Sequence, residues 1–200
     1  MFFRGRNNGR PWISAIFKAA TIATRQKLCF IETRVMFNNS IKYFKVFLFR
    51  MMFNLYMPFL GAGIHITRIS PDYRTFEISM KLRFYNKNYF GTHFGGSLYS
   101  MCDPFFTIIL IKNLGSDYIV WDKHASIRFK KPGRNTVNVR FHIPQERIHE
   151  IKHLADVNGK TEPVFTADLT DEDNAVIAQV EKTVYVRKKG VVKQDPPSAH

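Results

Sequence analysis

Near residue 38 the chain changes from an irregular start to a pattern of apolar residues that predicts a helix over residues 38–57. Apolar side chains recur there at spacings of three and four, which is the period of one helix face; they are Ile41, Phe44, Leu48, Met51 and Leu55. Pro58 and Gly61 are expected to end this helix. Packing on the domain is the favoured setting for it, while an in-plane membrane helix and a contact with a second copy stay open.

Beyond Gly61 the period falls to two, which predicts strands with one buried face. Strands are expected at residues 76–82, 127–129, 137–143, 165–169 and 176–186, and a short surface helix at 145–156. The pair Pro132-Gly133 and the segment 171–174 are rich in turn-forming residues, so they are predicted to connect neighbouring strands.

Residues 96–114 are apolar on nearly all sides, which predicts one helix enclosed by other elements and ended by Gly115. A strand pair before this helix and four strands after it predict an α+β fold, with an antiparallel sheet wrapped around a central helix. This is the hotdog arrangement. Because one such sheet leaves an exposed edge, we expect a homodimer, or a tetramer built from dimers.

Composition is consistent with one domain that has a substantial core, since 45% of the 200 residues are hydrophobic. Two cysteines far apart in sequence exclude a disulfide scaffold and a four-cysteine zinc site, and they favour a reducing cytoplasm. We expect a poorly ordered or dispensable basic extension over residues 1–37, the hotdog domain with its N-terminal helix over 38–188, and a flexible tail over 189–200.

The net charge of +14 lies mainly at the front of the chain, where residues 1–60 hold ten Lys and Arg but one acid, Glu32. A basic N-terminal segment can bind an anionic membrane, so peripheral membrane contact remains an alternative interpretation. No nucleic-acid-binding pattern accompanies it, and nucleic acid is not an expected partner. A solubilising extension, a mitochondrial presequence and a start at Met36 are all consistent with residues 1–35, which lack the apolar stretch of a secretory signal.

Candidate chemistry centres on Gly95-Gly96 and Asp103. The two glycines would place free backbone amides at the N-terminus of the predicted helix, where a substrate carbonyl can approach closely. Asp103 follows Gly96 by seven residues, which on one helix is two turns or about 10 Å along the same face. A lone carboxylate in apolar surroundings is costly, so a functional role is favoured over a structural one.

The stretch from Asn88 to Pro104 resembles the helix-entry motif of hotdog-fold thioesterases. It is similar above all to a branch known only as a domain of unknown function, which resembles the acyl-CoA thioesterases of phenylacetate-pathway type. The matching motifs are Gly91–Tyr99, Asp103-Pro104, Tyr118–Lys123, Phe129–Arg134 and Glu181–Arg187. The resemblance covers roughly residues 46–188.

This resemblance implies hydrolysis of an acyl-CoA or acyl-carrier thioester without a cofactor or metal. Asp103 would be the base or nucleophile, and the Gly95 and Gly96 amides would bind the oxyanion. Asn88 would anchor water or the carbonyl, or serve as a turn residue. The better-known relatives carry His directly before Gly-Gly, where this chain has Phe94; His93 is a site candidate one position away. The alternative is a non-catalytic hotdog protein that binds acyl-CoA or lipid.

Two further motifs carry candidate chemistry. Lys130, Lys131 and Arg134 flank a predicted turn and could bind the phosphates of coenzyme A, although a solvated turn has the same composition. The segment from His149 to His153 reads H-E-x-x-H, the pattern of zinc proteases. Because the extended motif requires Gly where Asp156 stands, an exposed polar helix face is the favoured interpretation.

Overall fold

The computed structural model describes residues 36, 37 and 39–190. The predicted extension is therefore described only at residues 36 and 37, and the predicted tail only at 189 and 190. The chain divides into two compact units, Met1–Lys45 and Val46–His200. In the first unit the described residues are helical. All the elements below belong to the second unit.

One antiparallel sheet of seven strands forms the frame of the second unit. Its strands are β1 (Ile64–Ile69), β2 (Thr75–Met80), β3 (Tyr118–Phe129), β4 (Val137–His142), β5 (Lys160–Thr161), β6 (Val164–Thr170) and β7 (Val176–Lys188). They are ordered β1-β2-β4-β6-β7-β3, and the short β5 also pairs with β7. All five predicted strand segments are confirmed. β3 is much longer than the predicted segment 127–129. Most of its side chains are exposed, so its sequence lacks the alternation of apolar and polar residues that would have predicted its full length.

Five helices accompany the sheet: α1 (residues 46–54), α2 (Met57–Ala62), α3 (Gly95–Ser100), α4 (Phe105–Leu114) and α5 (Gln145–Asn158). The predicted N-terminal helix therefore stops short of residue 57. Pro58 lies in the first turn of α2 instead of ending α1, because a helix start tolerates the missing N–H of proline. Gly63, with φ of 74°, ends α2 in the left-handed conformation.

The central helix is divided in two, which corrects the prediction of one helix over residues 96–114. α3 ends at Ser100, a turn follows, and α4 begins at Phe105. Pro104 explains the break, because proline disfavours the helical conformation of the residue before it and donates no hydrogen bond. Asp103 therefore lies in a turn, and the expected two-turn spacing from Gly96 along one helix face is wrong.

The sheet encloses α4, as the apolar sequence of that helix predicts. Phe105 stacks on Phe141 of β4 with ring centroids 5.1 Å apart, and Phe106 stacks on Phe165 of β6 at 4.9 Å. Ile109 and Leu110 on the same helix are fully buried. An antiparallel sheet around a central helix is the hotdog architecture, and the predicted fold class is confirmed.

Helix α1 packs on the domain through Phe49 and Phe53, which broaden the predicted stripe, and not through the centre of that stripe. Val46 is buried, and the Phe49 ring lies 4.7 Å from Phe53 and 5.6 Å from Tyr73. The predicted stripe points outward instead, with Leu48, Met51 and Leu55 exposed. Both faces of α1 are apolar, so the spacing of three and four cannot tell which one is buried.

Candidate active site

Asp103 lies in the turn between α3 and α4, at the edge of an apolar cavity of about 380 Å³. The other residues of the cavity wall are Met52, Phe53, Tyr56, Phe59 and Pro104. The Asp103 side chain is 53% exposed, so its carboxylate can be reached from solvent and from the cavity. A charged oxygen beside an apolar wall is suited to a substrate that joins a polar reacting group to a hydrocarbon chain.

Lys182, on β7, is fully buried and holds the turn in place. Its ammonium donates a hydrogen bond to the backbone carbonyl of Asp103 and lies 3.4 Å from the Asp103 carboxylate oxygen Oδ1. A buried ammonium is costly unless it is paired and hydrogen-bonded, and these contacts meet that need. The expectation of a lone acid in apolar surroundings is therefore wrong, because Asp103 is half exposed and paired.

A second carboxylate, that of Asp122 on β3, completes this cluster. Its Oδ2 accepts a hydrogen bond from Lys182 at 2.7 Å, and its Oδ1 accepts one from the Thr107 hydroxyl at 2.5 Å. Lys182 thus links the Asp103 turn to β3 and, through Asp122, to α4. The alternation of β7 contains a signal for Lys182, since it shares the inward face with Val180 and Val184. Asp122 belongs to the matching motif Tyr118–Lys123, but the sequence assigns it no role.

Two neighbours of Asp103 stay protonated at neutral pH. Burial raises the pKa of the Tyr99 hydroxyl, and the negative charge of Asp103 raises it further. Burial also raises the pKa of the Cys102 thiol far above its usual range. Tyr99 is therefore a neutral hydrogen-bond donor, and Cys102 does not supply a thiolate nucleophile.

A second cavity, of about 360 Å³, brings together five of the residues that the sequence singles out: Asn88, His93, Gly95, Lys130 and Lys131. Gly96, Asp103 and Arg134 are not part of its wall. The predicted glycine amide and the predicted acid therefore border different cavities of one chain.

His93 is buried in the wall of this second cavity. Its ring nitrogen Nε2 lies 2.7 Å from the backbone carbonyl of Asn135. A carbonyl can only accept, so Nε2 carries the proton and Nδ1 presents a free lone pair in the neutral ring. Within the described part of the chain, Nδ1 has no hydrogen-bond partner. Burial lowers the pKa of His93, which keeps the ring neutral at pH 7.

Asn88 organises the loop that leads into α3. Its side-chain oxygen accepts hydrogen bonds from the backbone amides of Phe90 and Thr92, at 2.9 and 3.1 Å. Its amide nitrogen donates to the Thr92 hydroxyl at 2.9 Å. These contacts are typical of an asparagine that stabilises a turn. Asn88 also lines the second cavity, where it would contact a bound ligand.

The two glycines have different surroundings. A Cβ at Gly95 would lie 3.1 Å from the Phe129 ring, whereas a Cβ at Gly96 would lie 2.4 Å from the Phe94 ring. Gly96 must therefore lack a side chain for Phe94 to keep its position. Gly95 alone exposes its backbone to the second cavity, so it is the better placed of the two to meet a carbonyl oxygen.

The H-E-x-x-H segment lies on α5, away from both cavities. Nε2 of His149 is 2.8 Å from the side-chain nitrogen of Gln145. Asp156 instead accepts hydrogen bonds from Tyr118 and Lys152. Among residues 36, 37 and 39–190 there is no group of three or more His, Cys, Asp or Glu side chains placed to hold a metal ion.

Comparison with known proteins gives a family and a set of structural neighbours. The model of a domain of unknown function (DUF4442) matches residues 45–186. No functionally curated protein matches the chain. A Pseudomonas aeruginosa protein of unknown function, described as a probable thioesterase, is similar in structure with a TM-score of 0.64 and 22% identity, over 70% of this chain and 94% of that one.

Two further solved structures share the fold. A protein of unknown function from Chlorobaculum tepidum has a TM-score of 0.56 and 16% identity, over 70% of this chain and 91% of its own. A thioesterase from Haemophilus influenzae has a TM-score of 0.50 and 15% identity, over 72% and 91%. At these identities the likeness establishes the fold.

Proposed function

The chain belongs to the DUF4442 family, and from this premise we propose that it hydrolyses acyl thioesters, with acyl-CoA or an acyl-carrier thioester as substrate. The observation that carries this proposal is the half-exposed carboxylate of Asp103 at the edge of an apolar cavity. Structural neighbours described as thioesterases support the same chemistry.

In the proposed reaction Asp103 takes a proton from a water molecule whose oxygen attacks the thioester carbonyl, the carbon–sulfur bond breaks, and the sulfur leaves with that proton as a free thiol. In the nucleophilic form of the reaction the Asp103 carboxylate attacks the carbonyl and expels the thiolate, which is protonated by solvent, and water then hydrolyses the anhydride to the free acid and Asp103. Lys182 fixes the backbone and the carboxylate of Asp103, and the acyl chain occupies the apolar cavity beside Phe53 and Tyr56. The Gly95 amide stabilises the negative charge that develops on the carbonyl oxygen. Lys130 and Lys131 bind the phosphates of coenzyme A at the second cavity, and His93, whose Nδ1 is buried, lies in the wall of that cavity.

A homodimer would unite the two halves of this site. β3 is an edge strand, with Asp122 beside the Asp103 turn and Phe129 beside Gly95. Antiparallel pairing with the β3 of a second copy, centred between these two residues, sets each Asp122 opposite the other chain's Phe129. Asp103 of one protomer then faces the Gly95 cavity of its partner. The site in this proposal is shared between protomers.

The direct test measures thiol release from acyl-CoA substrates of different chain length by the purified full chain. Asp103→Asn is expected to lower kcat/KM by roughly 10²–10⁴-fold, because it removes the base or nucleophile. Asp117→Asn, an exposed aspartate outside both cavities, is the matched control and should retain full activity. Full activity in Asp103→Asn would refute the role of that residue.

Subunit complementation tests whether the site is shared. Gly95→Val and Asp103→Asn are each expected to be inactive, but unfolding and refolding them together forms mixed dimers. In a shared site, one of the two sites of a mixed dimer then carries neither substitution, and activity returns. If each site lies within one chain, every site carries one defect and no activity returns.

The second candidate is a hotdog protein that binds acyl-CoA or lipid without turnover. It is favoured by Phe94, which stands where the related thioesterases carry a histidine, and by the separation of Gly95 from Asp103 within one chain. Tight acyl-CoA binding by calorimetry, with no thiol release, would select this candidate.

A further inference from the structure

Helix α1 and the segment after it present an uncovered apolar surface, here called the outer face. Its eight side chains are between 42% and 75% exposed; they are Phe47, Leu48, Met51, Met52, Leu55, Tyr56, Met57 and Leu60. A contiguous apolar patch of this kind is uncommon on a monomer and marks an interaction surface. No helix of the described residues is long and apolar enough to cross a bilayer.

Cations surround the outer face. Lys81 and Arg83 line one groove together with Leu60. Arg50 projects from α1 itself and donates to the carbonyl of Thr67. Within the described residues Arg50, Lys81 and Arg83 are in no salt bridge. The sequence from residue 33 to 71, which includes α1 and Arg50, contains no Asp or Glu.

Exposed aromatic side chains extend this surface. Phe84 is 84% exposed and Tyr85 lines the groove that holds Leu60, Lys81 and Arg83. Aromatic rings next to arginine and lysine are typical of the boundary between lipid headgroups and acyl chains. Apolar, aromatic and cationic groups therefore occur together in the arrangement that a membrane interface requires.

We propose that the outer face docks on an anionic lipid bilayer, with α1 lying in the plane of the headgroups. The apolar side chains enter the acyl region, and Arg50, Lys81 and Arg83 contact lipid phosphates. Met52 and Tyr56 of the outer face also line the Asp103 cavity, whereas Leu48 and Leu55 line neither cavity, so lipid binding can be tested through Leu48 and Leu55 separately from the proposed hydrolase activity.

The charges favour lipid over a second copy of the chain as the occupant. A two-fold interface places the same patch on both protomers, so the cations at its margin would meet like charges. An anionic bilayer offers the opposite charge to the same side chains. The proposed protomer contact through β3 lies elsewhere on the sheet, at its other edge from β1.

The test is co-sedimentation of the full chain with vesicles of phosphatidylcholine, with and without phosphatidylglycerol. Leu48→Gln/Leu55→Gln removes apolar side chains that line neither cavity, and it should weaken binding roughly tenfold or more. Lys81→Gln/Arg83→Gln should weaken binding to the anionic vesicles roughly fivefold to tenfold and leave binding to the neutral ones unchanged. Val157→Gln/Val164→Gln, also exposed but on α5 and β6, is the matched control.

Three results would overturn the proposal. The first is the absence of binding to anionic vesicles by the full chain. The second is equal binding by the full chain and the Leu48→Gln/Leu55→Gln variant. The third is a change of oligomeric state in that variant without vesicles, which would make the outer face a contact between protomers. Circular dichroism of each variant checks that it is folded.

Discussion

Lys182 has an ammonium group with no access to solvent, and its surroundings explain why that group is tolerated. It is bonded to the Asp103 turn and to Asp122 on β3, so two elements compensate one buried charge. The alternation of residues in β7 places Lys182 on the inward face of the strand, but the sequence of one strand does not show which carboxylates will contact it. Asp103 could be found from the sequence, whereas the contacts that position it could not.

Lys182→Met is expected to lower the free energy of unfolding by about 3 kcal/mol, because it leaves the Asp122 carboxylate without its cation. The double variant Lys182→Met/Asp122→Asn should lose less than the sum of the two single variants, since both groups then lack charge. Urea unfolding of the four proteins in this cycle measures the coupling. Additive losses would mean that the two side chains do not interact.

His93 should make stability depend on pH. Burial lowers its folded-state pKa below the ordinary value of 6.5, whereas the unfolded ring titrates near that value. Between the two pKa values the unfolded chain binds more protons, so the free energy of unfolding falls as the pH decreases through this range. Above about pH 7 this contribution is constant.

His93→Gln should remove that part of the pH dependence. Urea unfolding at a series of pH values between about 5 and 8 gives the slope for the wild type and for the variant. A shallower slope in the variant is expected below pH 6.5. Equal slopes would show that the folded and unfolded rings take up protons alike.

At the level of whole elements, the sequence predicts β2, β4, β6 and β7 from the alternation of one inward face, and it predicts the enclosure of α4 from apolar residues on nearly all sides of that helix. It fails where two faces are apolar or where one residue interrupts the period. α1 has apolar residues on both sides, and Pro104 divides an otherwise continuous apolar helix. β3 lacks alternation because it is an edge strand with most side chains exposed.

The junction between α2 and β1 depends on Gly63. Its φ of 74° disfavours a side chain, and a Cβ there would lie 2.7 Å from the amide nitrogen of buried Asn86. Gly63→Ala is therefore expected to destabilise the protein by about 1–2 kcal/mol or more. Gly61→Ala, where a Cβ meets nothing within 4 Å, should be neutral or slightly stabilising. Thermal unfolding of both variants compares them directly, and equal losses would contradict this account.

For the whole molecule, the proposed pairing through β3 predicts a particle of twice the 23.4 kDa chain mass. β3 carries twelve residues and pairs only with β7 among the described strands, so one long edge is available to a second copy. Sedimentation equilibrium over a range of protein concentrations measures this mass. A single species of 23.4 kDa at all concentrations would exclude the shared site.

Met52 and Tyr56 belong both to the outer face and to the wall of the Asp103 cavity. A substitution at either position therefore alters the outside of the molecule and the shape of its interior space at once. Leu48 and Leu55 belong to the outer face alone, so they can vary without reshaping that space. Under the two proposals, a substitution at Met52 or Tyr56 is therefore expected to change lipid binding and thioester hydrolysis together, whereas one at Leu48 or Leu55 is expected to change lipid binding alone.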